Sequence, residues 1–305
     1  MKRFLSIIAM ASILVVELNA QNVSFINISP DTQSMGIGGA SVAIGANAFA
    51  IYNNPAAMAM SDRTVAFAAS YGMWQPQYSN NTLIGVSGFG KIGDKFGIGL
   101  SGRYFTHQPY NVTTTTGAIM GQFSPVEYAI DLGASYRVID ILSVGANVRY
   151  ISSRLGESNV AAAIAADIAV MLKLDDISVA LAATNLGLKI NYGTADYSLS
   201  SMIKAGAAYN LRFAQTQRVS LSAEGDYLLK EKGLMAGFGA EYSYNELVMV
   251  RLGYHYGDSE KAIPSYASVG LGLQFAGVSV NAAYLLASSG SPLKNTLSFS
   301  LGYSF

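Results

Sequence analysis

From about residue 64 onward, apolar side chains alternate with small or polar ones at a period of two, the pattern of strands with two unlike faces. In the last nine residues Leu297, Phe299, Leu301, Tyr303 and Phe305 share one face, and Ser298, Ser300, Gly302 and Ser304 share the other. Val278, Val280, Ala282, Tyr284 and Leu286 likewise oppose Ser279, Asn281 and Ala283. The same alternation runs through 128–138, 142–150, 203–213, 219–229 and 248–256. It predicts fourteen strands, over 64–71, 81–90, 96–106, 126–138, 142–152, 160–174, 177–190, 199–213, 217–230, 233–244, 247–257, 264–275, 278–288 and 293–305. After the first twenty residues no uninterrupted apolar run approaches the length of a membrane helix. The nearest, Val160 to Leu172, is interrupted by Asp167.

The two faces identify the solvent. Charged side chains within the strands fall opposite the aliphatic and aromatic face: Asp131, Arg137, Arg149, Asp167, Lys173, Lys204, Arg212, Glu224, Asp226, Glu241 and Arg251. The rest of that second face is Gly, Ala, Ser and Asn, which suits a packed interior better than a surface in bulk water. An apolar face in lipid tolerates little charge, a midplane Lys or Arg costing about 2–4 kcal/mol. Unpaired sheet edges cannot lie in hydrocarbon either, so the sheet has to close. The expected fold is therefore all-β: a transmembrane antiparallel β-barrel. The connections 91–95, 139–141, 175–176, 214–216, 245–246 and 276–277 are short, whereas 72–80, 107–125, 153–159, 191–198 and 258–263 are longer. Short periplasmic turns and longer external loops are usual in outer-membrane barrels, which puts both termini in the periplasm.

Composition agrees with this reading. Only 12% of the 305 residues are charged and 51% are apolar, with Lys+Arg and Asp+Glu balanced at 19 each. Disorder would need more charge and fewer apolar residues, and nucleic-acid binding a basic excess. Lys2 and Arg3, the apolar stretch Phe4 to Val16 and the small-residue site Leu18-Asn19-Ala20 read as a secretory signal peptide over 1–20. The chain has no cysteine, which excludes disulfides, lipoprotein anchoring and thiol chemistry.

Residues 21–63 lack the strand pattern. They contain Ser29-Pro30-Asp31, glycines at 36, 38, 39 and 45, and a small apolar stretch from Ala48 to Met60. Their apolar content favours a plug in the barrel lumen over an exposed arm, with Pro55 opening a short helix over Ala56 to Met60. The barrel proper is expected over 64–305. The stretch Ser29-Pro30-Asp31-Thr32-Gln33-Ser34-Met35-Gly36-Ile37-Gly38-Gly39-Ala40, followed by Ala48 to Ala57, resembles the opening of PorV/PorQ-family outer-membrane proteins of Bacteroidetes-type bacteria. That family is similar in turn to the FadL fatty-acid transporters, whose fourteen-stranded barrel holds an N-terminal hatch with an Asn-Pro-Ala segment. Asn54-Pro55-Ala56 matches that triplet, so Asn53, Asn54, Pro55 and Ala56 mark a candidate gating or ligand region. The resemblance implies a role at type IX secretion machinery, binding exported cargo or neighbouring outer-membrane proteins of that system.

Other motifs weigh less. Gly36-x-Gly38-Gly39 has the glycines of a phosphate-binding loop but neither a Walker lysine nor a βαβ setting. His107 and His255, the two histidines, read better as polar rim residues than as metal ligands. The strand carboxylates assemble into no Ser/His/Asp set, and neutralisation by the lumen cations is the simpler account. Thr113 to Thr116 read as a solvated surface loop. Tyr104, Tyr128, Tyr150, Tyr209, Tyr227, Tyr254 and Tyr303 fall towards strand ends as interfacial girdles. No cofactor and no enzymatic activity are expected, and the surrounding partner is outer-membrane lipid.

Two functional readings stay open. One is a non-enzymatic secretion or surface-attachment component acting by protein–protein contact. The other is a FadL-like passive conduit for small hydrophobic molecules such as fatty acids. A continuous apolar groove between plug and wall favours the conduit. A filled lumen beneath exposed apolar outer loops favours partner binding.

Overall fold

The computed structural model describes residues 24–157, 160–193 and 195–305. The signal peptide read over 1–20, and the first residues of the 21–63 segment, lie outside the described residues.

Fourteen antiparallel strands form one closed barrel, each paired with its neighbours in sequence. They are β1 Val65–Trp74, β2 Asn81–Ile92, β3 Phe96–Thr106, β4 Val126–Ile139, β5 Leu142–Arg154, β6 Ala161–Leu174 and β7 Ile177–Gly187. The series continues with β8 Met202–Ala214, β9 Gln217–Leu228, β10 Gly233–Tyr244, β11 Val248–Gly257, β12 Tyr266–Phe275, β13 Val278–Leu286 and β14 Leu297–Ser304. β1 closes on β14 from Ala66↔Ser304 to Met73↔Leu297, so the ladder has no free edge and its peptide groups are satisfied without water. No described helix is long and apolar enough to cross a membrane, a criterion that does not bear on strands.

The alternation is resolved as predicted. Leu100, Leu132, Leu252 and Leu301 stand on the outer face and are about three-fifths exposed, while Ser101, Asp131, Arg251 and Ser300 point inward and are buried. Aromatic side chains ring both ends of the outer face: Tyr71, Tyr104, Tyr128, Tyr150, Tyr227 and Tyr254 near the long connections, and Phe96, Tyr136, Tyr209, Tyr242 and Tyr303 near the short ones. The two-residue hairpin between β12 and β13 turns on Ala276 and Gly277 with φ of 50° and 84°. Positive φ at both central residues matches the twist of the flanking strands. The 107–125 connection, expected as a loop, instead holds a hairpin pairing Tyr110–Thr113 with Ile119–Phe123. Thr114 and Thr116 sit at its tip, their hydroxyls bonded at 2.8 Å.

The core lies inside the cylinder. Residues 24–60 form a 3-10 turn (Ser24–Asn27), helix α1 (Thr32–Gly36), helix α2 (Ala50–Asn53) and a second 3-10 turn (Pro55–Met60), and most of residues 25–60 are buried. Their path is lengthwise. At the long-connection end Phe25 stacks on Phe105, with centroids 6.2 Å apart, and Asn27 Nδ2 donates to Ser200 Oγ at 2.7 Å. At the short-turn end Thr64 N–H donates to the carbonyl of the last residue, Phe305, at 2.7 Å. The first and last described residues therefore lie at opposite ends of the barrel.

Candidate functional site: the filled lumen

The N-terminal segment is organised around Asp31. Its Oδ1 caps α1 by accepting from Gln33 N–H at 2.9 Å. Its Oδ2 accepts from Asn47 Nδ2 at 2.8 Å and from Asn53 Nδ2 at 2.7 Å, which fastens α2 to α1. Burial pushes the Asp31 carboxyl above its ordinary range, and the amides of Asn47 and Asn53 hold the rise in check. The Asn-Pro-Ala triplet follows the same logic. Asn54 accepts from Ala56 N–H at 2.9 Å as the cap of the 3-10 turn and donates to the Val42 carbonyl at 2.7 Å. Pro55 takes the first position of that turn, where its missing N–H costs nothing.

The wall holds this segment from all sides, because each buried backbone group needs a partner. Ser143 Oγ donates to Ala56 O at 2.8 Å, Asn147 Nδ2 to Ile51 O at 3.1 Å and Ser178 Oγ to Ala43 O at 2.6 Å. Glu224 Oε2 accepts from Ser41 and Val42 N–H at 2.7 and 2.6 Å. Arg137 Nη2 and Lys91 Nζ donate to Ala59 O and Ser61 O at 3.1 and 2.7 Å, at the end of the 3-10 turn where carbonyls lack partners. Wall glycines admit the backbone itself. A Cβ at Gly145 would overlap Pro55 and Ala56, and one at Gly253 would overlap Ile37 and Gly38.

Eight of the predicted lumen charges form three clusters, while Arg137 holds the plug and Lys173 lies near Asp62 at the short-turn end. Arg149 on β5 joins Asp131 Oδ1 at 2.5 Å and Asp167 Oδ2 at 2.9 Å, and also bonds Asn185. Asp131 and Arg149 are direct cross-strand partners. Lys204 and Glu224 pair at 2.6 Å, beside Asp226 on the strand facing Lys204. Arg251 and Glu241, again cross-strand partners, meet at 2.7 Å, with Arg218 at 3.3 Å and Gln33 of the plug at 3.1 Å. Arg212 differs. It lies exposed at the short-turn mouth, paired with Glu246 at 3.3 Å, because it is two residues from the end of β8. The histidines are apart in role: His107 pairs with Glu127 at 2.8 Å, and His255 stacks on Tyr266 with centroids 4.8 Å apart. Among the described residues no group of three or more His, Asp or Glu is placed to hold a metal.

Two residues outside the sequence-derived set hold the network together. Arg103 on β3 donates to the Ile26 and Ile28 carbonyls at 2.6 and 3.3 Å and lies 4.4 Å over the Tyr52 ring. Burial raises the Tyr52 hydroxyl to about 12, with the Arg103 charge opposing. Asn185, at φ 56°, bulges β7 inward opposite Asp167. Its N–H donates to Asp167 Oδ1 at 2.6 Å and its Nδ2 to Asn27 Oδ1 at 2.8 Å. Arg103 was detectable as the one charge on the Gly99, Ser101 face of its strand. The bulge at Asn185 carries no comparable signal.

Two cavities flank the segment. A vestibule of about 560 Å³ opens at the short-turn end, lined by polar and charged groups that include Asp31, Gln33, Arg218, Glu241 and Arg251. A space of about 100 Å³ on the other side is lined by Arg103, Lys204, Asp226, His255 and Tyr266 among others. Beyond it Phe25, Ile26, Trp74, Phe105, Ile190, Leu199, Leu285 and Leu293 belong to one buried apolar cluster at the long-connection end.

The family model for the type IX secretion system protein PorV matches residues 17–233. The chain belongs to the PorV family. Its fold is also similar to that of solved toluene transporters and of a FadL homologue. The toluene transporter TbuX of Ralstonia pickettii aligns at a TM-score of 0.62 and 13% identity, covering 91% of this chain and 98% of that one. The toluene transporter TodX of Pseudomonas putida aligns at 0.63 and 13%, covering 89% and 96%. A FadL homologue of Pseudomonas aeruginosa aligns at 0.56 and 15%, covering 91% and 98%. At these identities the likeness speaks to the fold. A search of the curated proteins found no match. Barrel and family together place this PorV-family chain in the outer membrane, with the arginine and carboxylate clusters inside it.

Proposed function

We propose that the protein is a non-enzymatic component of type IX-like protein secretion or surface attachment, acting by protein–protein contact at its outer loops and barrel rim. The short turns face the periplasm and the long connections face outward. The observation that carries this reading is the contrast between a filled lumen and an apolar outer hairpin. The plug separates a polar vestibule from a smaller space of mixed lining, whereas Ile119 and Met120 on the 110–123 hairpin are 65% and 73% exposed. Exposed apolar side chains at a membrane-distal tip mark a contact surface. A photo-crosslinking residue at Met120 in intact cells is expected to capture secreted cargo or another outer-membrane protein of the secretion system. Capture of neither sinks the reading.

The FadL-like reading, passive passage of small hydrophobic molecules such as fatty acids, is supported by the Asn54-Pro55-Ala56 segment and by the fold shared with toluene transporters. It requires the plug to move, because charged groups line the space on both sides of it.

A further inference from the structure

The outer face of the barrel carries an open, shallow hollow across β3 to β8. Its volume is about 590 Å³ and its lining is almost wholly carbon. The floor is set by the methyl groups of outward-facing alanines. Ala134 on β4 faces Ala146 on β5, and Ala183 on β7 lies one strand beyond Ile168 of β6. Phe96 and Tyr136, tilted rings 4.9 Å apart, wall one side, and Ile203 walls the other. Behind it, on the inner face, Gly145 leaves room for the Pro55–Ala56 backbone.

We propose that this hollow is a binding site for one acyl chain of a glycerophospholipid from the leaflet at the short-turn end. The site does not depend on what the outer loops bind. Water cannot fill it, since an apolar void offers no hydrogen-bond partners. Left empty, its lining atoms lose their dispersion contacts on one side. The hollow is continuous with the lipid-facing belt and begins at the aromatic ring of the short turns, marked by Phe96 and Tyr136, where a phospholipid chain enters the hydrocarbon. Between two proteins, convex barrel walls meet along a ridge. A flexible chain fits a concavity without reshaping either wall.

The test uses the full barrel in phosphatidylethanolamine–phosphatidylglycerol vesicles, with a phosphatidylethanolamine bearing a diazirine on one acyl chain. Crosslinks at residues 134, 146, 168 and 183 are expected to exceed those at Val250, Leu252 and Leu271 on another arc by about threefold or more. Filling the floor with Ala134→Leu, Ala146→Leu and Ala183→Leu is expected to abolish the excess while the barrel keeps its heat-modifiable gel migration. If the triple variant does not fold, Ala146→Leu alone is expected to reduce the excess. Equal labelling around the barrel, or an excess that survives filling, overturns the proposal. A photo-crosslinker at Ile168 in cells that captures a membrane protein in place of lipid also overturns it.

Discussion

Arg149 shows what a single side chain does in this lumen. Its guanidinium fork spans two carboxylates on neighbouring strands and the Asn185 amide. Removing one partner of a buried ion pair leaves the other charge uncompensated, at a cost of about 3–5 kcal/mol. Arg149→Leu strands Asp131 and Asp167 and is expected to lower the unfolding free energy by that order, seen as a lower urea midpoint. Arg149→Lys keeps the charge but loses the fork, and is expected to fall between the two. A midpoint unchanged in Arg149→Leu means the cluster holds nothing. Tyr52 makes a second case, with the sign fixed by its environment. Its hydroxyl is raised to about 12 from 10.0 by burial. The folded state therefore favours the protonated ring, and the stabilisation is intact below pH 10.0 and lost as the pH climbs from there to about 12. Tyr52→Phe cannot ionise. Alkaline titration followed by heat-modifiable migration is expected to show a steeper loss for the natural chain than for this variant across that interval.

Among elements, the Pro55–Met60 turn and the wall behind it are a matched pair, since glycine in the strand is what lets the turn's backbone approach. Adding side chain at a closely packed point costs about 1–3 kcal/mol. Gly145→Val is expected to lower stability by that order and to push the turn off the wall, read as new protease cleavage near Arg63. Gly225→Val, whose Cβ would meet nothing within 4 Å, is the control expected to change little. Cleavage equal in both variants means the contact is not what seats the turn. The strands behind such contacts were legible because a closed sheet with lipid outside and a packed lumen inside enforces a strict period of two. Thus Asp131, Arg149, Glu241 and Arg251 could be placed on the inner face before any pairing was known. Their grouping into clusters was not legible, since it depends on register between strands. Arg212 shows the same limit, because periodicity gives its face but not its depth. The 24–60 segment has no period at all. Its cap at Asp31 and its turn at Pro55 follow local chemistry, but its lengthwise path is set by contacts with Arg103, Ser200 and Glu224, far away in sequence.

For the molecule as a whole, the decisive property is that the N-terminal segment occupies the lumen and the charges of the surrounding wall are paired. In the wall clusters Arg149, Lys204, Arg218 and Arg251 are each paired with a carboxylate of Asp131, Asp167, Glu224 or Glu241. A hydrophobic solute taking the lumen would have to pass these groups, each of which gains more from its partner than from hydrocarbon. The natural protein in a planar bilayer is therefore expected to show no steady conductance, and vesicles holding it no added influx of a fluorescent fatty acid over empty ones. Deleting residues 26–58 removes the plug but leaves the fourteen-strand ladder, whose interior is wide enough for water once emptied. The truncated barrel is expected to conduct ions with little preference between cation and anion, because the lining charges are paired. Fatty-acid influx should stay low even then, since the opened path is polar. Rapid influx through the intact protein would mean that the plug yields to a hydrophobic ligand, and would move the function from partner binding to transport.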